Sequence, residues 1–289
     1  LGDVYKRQPQ YNQLRIKIAG ICREWLSLTD LSRYDLVGFS ICFSQSLPSL
    51  YFSREIKKIY PDVPIVYGGS SCSGDIGPSL LHNFSEVDYV VDGEGEEALR
   101  RLCAFLAGQA AGLPEKVHSR CDTARTEGPA PLAQLNTLPY PDYSHFFKEM
   151  RRVFPTQTFI PELPIEFSRG CWWNKCTFCN LNLQWQGYRA KTAQRLTSEV
   201  THLSQLHECL SFIFTDNALP PGEADIFFTT IIDKKVDLNF FAEIRAVSNP
   251  DTLQRYYQGG LRTVQVGVEA LSSSLLKKMV KGTRAIENI

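Results

Sequence analysis

The 289-residue chain lacks a net charge of either sign, since 31 lysines and arginines stand against 31 aspartates and glutamates. That balance gives no electrostatic reason to expect a nucleic acid or an anionic membrane surface as partner. No apolar run reaches about 18 residues, and no basic-then-apolar leader opens the chain. The expectations are therefore no membrane span, no nucleic-acid partner and a cytoplasmic location. The nine cysteines lack the spacing of a disulfide framework, and a reducing compartment keeps them as thiols. What remains, 43% hydrophobic and 21% charged, suits about two domains with real cores. The opening residues LGDVYKRQ read as adapter-derived sequence and are set aside from fold reasoning.

Residues 36–43, LVGFSICF, are a short run of strand formers followed by Ser/Pro punctuation and the helical LYFSREIKKIY. PDVPIVYGG predicts a second buried strand closed by Gly68 and Gly69. SLLHNF predicts a helix, VDYVV a strand, and GEGEEALRRLCAFLA a turn feeding a helix. Strands alternating with helices predict a parallel sheet covered on both faces. Ligands of such sheets sit beyond the carboxyl ends of the strands, where Gly68, Gly69 and the Gly93-Glu94-Gly95-Glu96 turn fall. From about residue 107, proline-rich sequence of little periodicity predicts an interdomain crossing. After Pro164 the alternation resumes. IEFSRG, LSFIFTDN, LNFFAEIRA and TVQVGVEA read as strands, each followed by a helical segment, the third capped by Asn249 and ended by Gly259-Gly260. Four such units begin a parallel barrel, and a closed barrel needs more. The fold class is thus α/β: a Rossmann-like parallel sheet domain (9–107), a linker or crossing segment (108–160), and a partial (β/α) barrel (161–289) truncated at its C-terminus.

The chemistry concentrates in SRGCWWNKCTFC. Cys171, Cys176 and Cys179 follow a C-x4-C-x2-C spacing directly after the first strand of the second half. Three close thiolates suit iron or zinc, and the loop falls at the catalytic face of a barrel-like fold. A structural zinc site takes four ligands, whereas an iron–sulfur cluster held by three thiolates leaves one iron open.

This stretch resembles the signature loop of the radical SAM superfamily, whose usual spacing is C-x3-C-x2-C with an aromatic before the last cysteine; this chain has one extra residue between the first two. The resemblance implies that Cys171, Cys176 and Cys179 hold a 4Fe-4S cluster whose fourth iron chelates S-adenosylmethionine. A low-potential donor of the flavodoxin or ferredoxin type then supplies an electron, and the sulfonium is cleaved to methionine and a 5'-deoxyadenosyl radical that takes hydrogen from an unreactive carbon. Phe178 matches the aromatic position beside the adenine. FIFTDN lies where the family's second strand holds the methionine amino group, which makes Asp216 the candidate. FFAEIRA resembles the third strand, with Glu243 and Arg245 facing S-adenosylmethionine. VQVGVEALSSSLLKKMVKGT resembles the fourth strand and its helix, with Glu269 near the ribose hydroxyls.

VGFSI, PIVYGG and VVDGEGEE resemble a cobalamin-binding domain of the kind that precedes many radical SAM domains, which implies Gly68, Gly69, Gly93, Glu94 and Gly95 as cobalamin contacts. LNTLPYPDY resembles the crossing between the two. The lower-ligand motif D-x-H-x-x-G is absent, because none of His82, His118, His145, His202 or His207 has Asp two residues before it. With cobalamin the implied reaction is methyl transfer to carbon; without it, epimerisation, thioether formation or rearrangement. The aromatic-rich loop resembles those of enzymes that modify ribosomally made peptides, so the substrate class is a small molecule or a peptide. No catalytic residue is identified beyond the cofactor-binding set.

Plain structural roles stand beside these. Asp216 is also a turn or cap residue, Glu243 and Arg245 are placed to pair on one strand face, Glu269 can cap the next helix, and the glycines suit tight turns. Trp172 and Trp173 are adjacent, and in an extended segment one faces inward and the other outward. The rival function is a ferredoxin-like electron carrier: Cys209, separated from Cys179 by 29 residues, completes a plant-type C-x4-C-x2-C-x29-C set. A zinc module is a further alternative. Against the ferredoxin stands the helix expected over 192–208, which at 1.5 Å per residue carries the chain about 25 Å from the loop.

Overall fold

A computed structural model describes residues 8–120, 134–156, 160–179, 185, 187–246 and 249–289. The chain divides into two compact units, Leu1–Ala133 and Gln134–Ile289.

In the first unit, α1 (Gln8–Leu28) precedes β1 (Val37–Ser40), α2 (Ser46–Ile59), β2 (Ile65–Gly68), α3 (Ile76–Asn83), β3 (Tyr89–Val91), α4 (Gly95–Leu106) and β4 (Val117–Ser119). The sheet order is β1-β2-β3-β4, with the first three strands parallel and β4 antiparallel to β3. Alternate residues of β2 serve opposite faces. Ile65 and Tyr67 pack with Leu26, Ile56 and Leu81 from α1, α2 and α3, while Val66 packs with Ala98 and Leu102 from α4. A strand buried on both faces carries an unbroken apolar run, and IVYG is one. β4 and α1 were not expected. β4 has only three residues, too few to show a period, and α1 leaves Tyr11, Leu14, Ile16, Ile18 and Ile21 exposed around its surface.

The second unit contains α5 (Ser144–Val153), β5 (Glu162–Ile165), β6 (Ser168–Arg169), β7 (Arg189–Ala190), α6 (Ala193–His207), β8 (Ser211–Phe214), α7 (Glu223–Lys234), β9 (Asn239–Arg245), α8 (Pro250–Gln258), β10 (Leu261–Gly267) and α9 (Ser273–Lys278). Four parallel strands run in the order β10-β9-β8-β5, and β6 and β7 form a separate two-stranded antiparallel ladder. Among the described residues the strands form an open sheet rather than a closed barrel. IEFSRG, expected as one strand, is split: β5 ends at Ile165 and β6 starts at Ser168. α5 lies within the stretch expected as crossing, where Phe147 is buried and stacks on His207 at 4.8 Å.

Alternation sets the two faces of this sheet. Phe212, Phe214, Phe240, Ala242 and Ile244 turn to the helices and meet Phe227 and Phe228 of α7 in a ring-packed core. Burying each phenylalanine contributes about 1.5–3 kcal/mol. Period two then puts Glu243 and Arg245 together on the opposite face. The expected N-cap is present, with Asn249 accepting from the Asp251 amide at 3.0 Å. LNTLPY docks on the start of α6: Asn136 accepts from the Thr192 amide, and Arg195 lies 3.9 Å over the Tyr140 ring while donating to the Asn136 and Leu138 carbonyls. Among the described residues no helix is long and apolar enough to cross a membrane.

Candidate functional site

The cysteine loop leaves the sheet beyond the carboxyl end of β5 and returns through β7. Its mouth is pinched, because Gly170 has φ +81° and a Cβ there would stand 2.7 Å from the Gly187 carbonyl oxygen, so only glycine fits. The return is anchored twice. The Lys191 amide donates to the Phe167 carbonyl at 2.8 Å, and the Lys191 ammonium sits 2.8 and 3.0 Å from the two oxygens of Glu199, with both side chains buried.

Cys171, Cys176 and Cys179 are half-buried free thiols spread along this loop. Among the described residues no three His, Cys, Asp or Glu side chains are gathered closely enough to hold a metal. The donor set nevertheless has the chemistry an iron–sulfur cluster takes, three unpaired thiols on one short segment. A buried, underused polar group lies beside them. Tyr188 buries its hydroxyl without a well-formed hydrogen bond, and burial pushes it up to about 12.

Asp216, at the end of β8, is 3% exposed. Its carboxylate accepts from the Phe167 amide at 2.8 Å and the Ser168 hydroxyl at 2.5 Å, which stitches β8 to the residues that open the cysteine loop. Burial lifts it to about 7, against the opposing pull of those hydrogen bonds. Glu243 and Arg245 share a face but do not pair. Arg245 instead lies 5.3 Å from the Trp172 ring and 4.8 Å from the Trp173 ring and donates to the Lys281 carbonyl. Glu243 makes no ion pair among the described residues. Glu269 adopts a left-handed backbone, φ 62°, and accepts from the Lys281 ammonium at 2.9 Å; that ammonium stands 5.9 Å over the Phe178 ring.

The structure thus draws Phe178, Arg245 and Glu269 around Lys281, a residue the sequence reading missed. Lys281 was read as the end of the last helix, but α9 stops at Lys278 and Val280 turns the chain with φ 51°. The two tryptophans correct a second expectation. The chain bends at 172–173, so the rings meet edge to face at 6.3 Å, and both line a cavity of about 410 Å³ with Arg245, Ile244, Tyr256 and Gly282.

Cys209 lies at the other end of the sheet. It is buried and donates to the carbonyls of Pro161, just before β5, and Ser211, whereas the cysteine loop follows the far end of β5. The geometry gives the four-cysteine ferredoxin set no support. In the first unit Gly68 ends β2, and Gly93, Glu94 and Gly95 join β3 to α4. Gly69 is steric: its Cβ would stand 2.7 Å from the Ile41 oxygen. Gly93 and Gly95 face open space, a bare backbone that a large ligand can approach.

Comparison with known proteins agrees with this architecture. Residues 165–289 match the Radical SAM superfamily. The hopanoid C-3 methylase of Methylococcus capsulatus is 26% identical over 269 residues, covering 89% of this chain and 50% of that protein. Among solved structures, the cobalamin-dependent S-adenosylmethionine radical enzyme OxsB, with aqua-cobalamin and S-adenosylmethionine bound, superposes with a TM-score of 0.69 at 19% identity, over 89% of this chain and 38% of that one. The radical S-adenosylmethionine methyltransferase TsrM from Kitasatospora setae, with cobalamin and a [4Fe-4S] cluster bound, gives 0.67 at 19% identity, over 92% and 56%. The family match is confined to residues 165–289, within the second unit. It spans about half the length of the methylase it matches.

Proposed function

We propose that this chain acts as a radical SAM enzyme of the cobalamin-associated kind, with methyl transfer to an unreactive carbon of a small-molecule or peptide substrate as its reaction. The observation that carries the reading is the loop of three free thiols set at the carboxyl end of a parallel sheet, with Phe178, Arg245 and Glu269 gathered beside it. A 4Fe-4S cluster held by Cys171, Cys176 and Cys179 supplies the electron for homolysis of S-adenosylmethionine, and a low-potential flavodoxin or ferredoxin is the proposed source.

The chain's own residues then have assigned tasks. Phe178 offers an aromatic face for the adenine. Glu269, already held by Lys281, offers its remaining oxygen to ribose hydroxyls, and its left-handed backbone is a strain of about 1–3 kcal/mol of the sort found at ligand clamps. Glu243 has no competing ion pair among the described residues, shares a sheet face with Arg245, and is proposed to take the ligand's ammonium. Arg245 is proposed to meet its carboxylate. Asp216 works from below: with both oxygens occupied by Phe167 and Ser168, it holds the loop's entry in place.

The methyl-transfer reading draws on the methylase relative and on the cobalamin-bound structural neighbours. The open space beside Gly93 and Gly95 supports a corrinoid at that turn. The test is anaerobic reconstitution with iron and sulfide, then reduction in the presence of S-adenosylmethionine and assay for 5'-deoxyadenosine and methionine. Release in the wild type, and none in Cys176→Ala, supports the reading. A colourless protein that releases neither contradicts it. Cobalamin retained through gel filtration tests the second cofactor separately.

A further inference from the structure

Three consecutive carbonyls after α9 all accept from the candidate site. The Met279 oxygen takes the Thr177 amide at 3.1 Å, the Val280 oxygen takes the Trp173 indole N–H at 2.8 Å, and the Lys281 oxygen takes the Arg245 guanidinium. A helix end leaves carbonyls unsatisfied, and these three lie just beyond one, turned outward by the left-handed Val280. The next residue closes the contact. Gly282 has φ +76°, and a Cβ there would fall 2.1 and 2.3 Å from two carbons of the Trp173 ring, so the indole occupies the space a side chain would take.

From this geometry we propose that Met279–Gly282 is a latch for the cysteine loop and that Trp173 is the positioning residue through which it acts. The two loop donors bracket Cys176, Trp173 three residues before it and Thr177 immediately after, and both lie between Cys171 and Cys179. Holding them fixes the backbone from which the middle thiol projects. Arg245 ties the same latch to β9, so loop, strand and latch share one set of hydrogen bonds. The inference rests on the cluster reading above, because a latch on this loop matters only if its thiols hold something.

The test compares wild type, Trp173→Phe and Gly282→Ala after anaerobic reconstitution. Trp173→Phe keeps a ring and removes the donor; Gly282→Ala drives a methyl into the ring. Iron and sulfide per chain, the rate of iron transfer to a ferrous chelator, and the paramagnetic resonance spectrum of the reduced cluster are measured. Loss of one hydrogen bond predicts iron release about tenfold faster in Trp173→Phe, with Gly282→Ala at least as fast. An altered spectrum in both variants separates moved ligands from a general loss of stability. If Gly282→Ala does not fold, Trp173→Phe decides alone. Wild-type release rates and spectra in the variants overturn the latch and leave the cluster reading standing, whereas a wild type that takes up no cluster overturns both.

Discussion

The Lys281 ammonium and the Glu269 carboxylate meet at 2.9 Å but are unequally buried, the lysine side chain 7% exposed and the glutamate 32%. Removing either partner breaks the same bond, yet leaves a different remainder. Glu269→Gln strands a buried ammonium, while Lys281→Met leaves a carboxylate that water reaches. Glu269→Gln is therefore expected to cost about 2–3 kcal/mol and Lys281→Met about 1 kcal/mol. Urea unfolding of the cluster-free protein checks the order, and equal costs would show that the two environments do not differ as described.

Asp216 predicts a pH dependence. Its folded pKa, about 7, lies above the ordinary value of 3.8, so between those limits the folded protein holds a proton that the unfolded chain has released. The stability this group contributes is complete below pH 4 and is lost as pH rises to 7. From pH 5 to pH 8 the wild type should lose about 3 kcal/mol that Asp216→Asn does not. Asparagine fills the same space and still accepts from the Phe167 amide. Parallel stability curves for the two proteins would contradict the assignment.

Lys191 and Glu199 form a buried pair at 2.8 Å, with Arg195 a further 3.6 Å neighbour of Glu199. Glu199→Gln strands a buried cation and is expected to cost about 3–5 kcal/mol. Lys191→Met costs less, because Arg195 remains beside the carboxylate. The double variant Lys191→Met/Glu199→Leu should cost less than the sum of the single changes, and a thermodynamic cycle on the cluster-free protein measures the coupling.

Much of this architecture was legible because it rests on local pattern. SFIF and NFFAEIR are short aromatic-rich apolar runs of strand length, and the Cys171, Cys176 and Cys179 spacing is visible without a fold. What escaped depends on distant partners. Asp216 has both partners nearly fifty residues away, and nothing in FIFTDN reveals that its oxygens are already committed to Phe167 and Ser168. Lys281 reaches Glu269 only because Val280 breaks from helix into a left-handed turn, a conformation rare for a β-branched residue. The plain alternative, a pair between Glu243 and Arg245, does not form for the same reason, since two tryptophans and the Lys281 carbonyl, all remote in sequence, hold the guanidinium. The glycines of the first unit separate on structure alone: Gly69 lies so close to the Ile41 backbone that a side chain would clash, while Gly93 faces open space.

The most direct test of the cluster assignment is the electron paramagnetic resonance spectrum of the reconstituted, dithionite-reduced protein, with and without S-adenosylmethionine, in wild type, Cys176→Ala and Cys209→Ser. A 4Fe-4S signal that shifts on adding S-adenosylmethionine, survives Cys209→Ser and disappears in Cys176→Ala is the predicted result. A 2Fe-2S signal that ignores S-adenosylmethionine and is lost with Cys209 would contradict it.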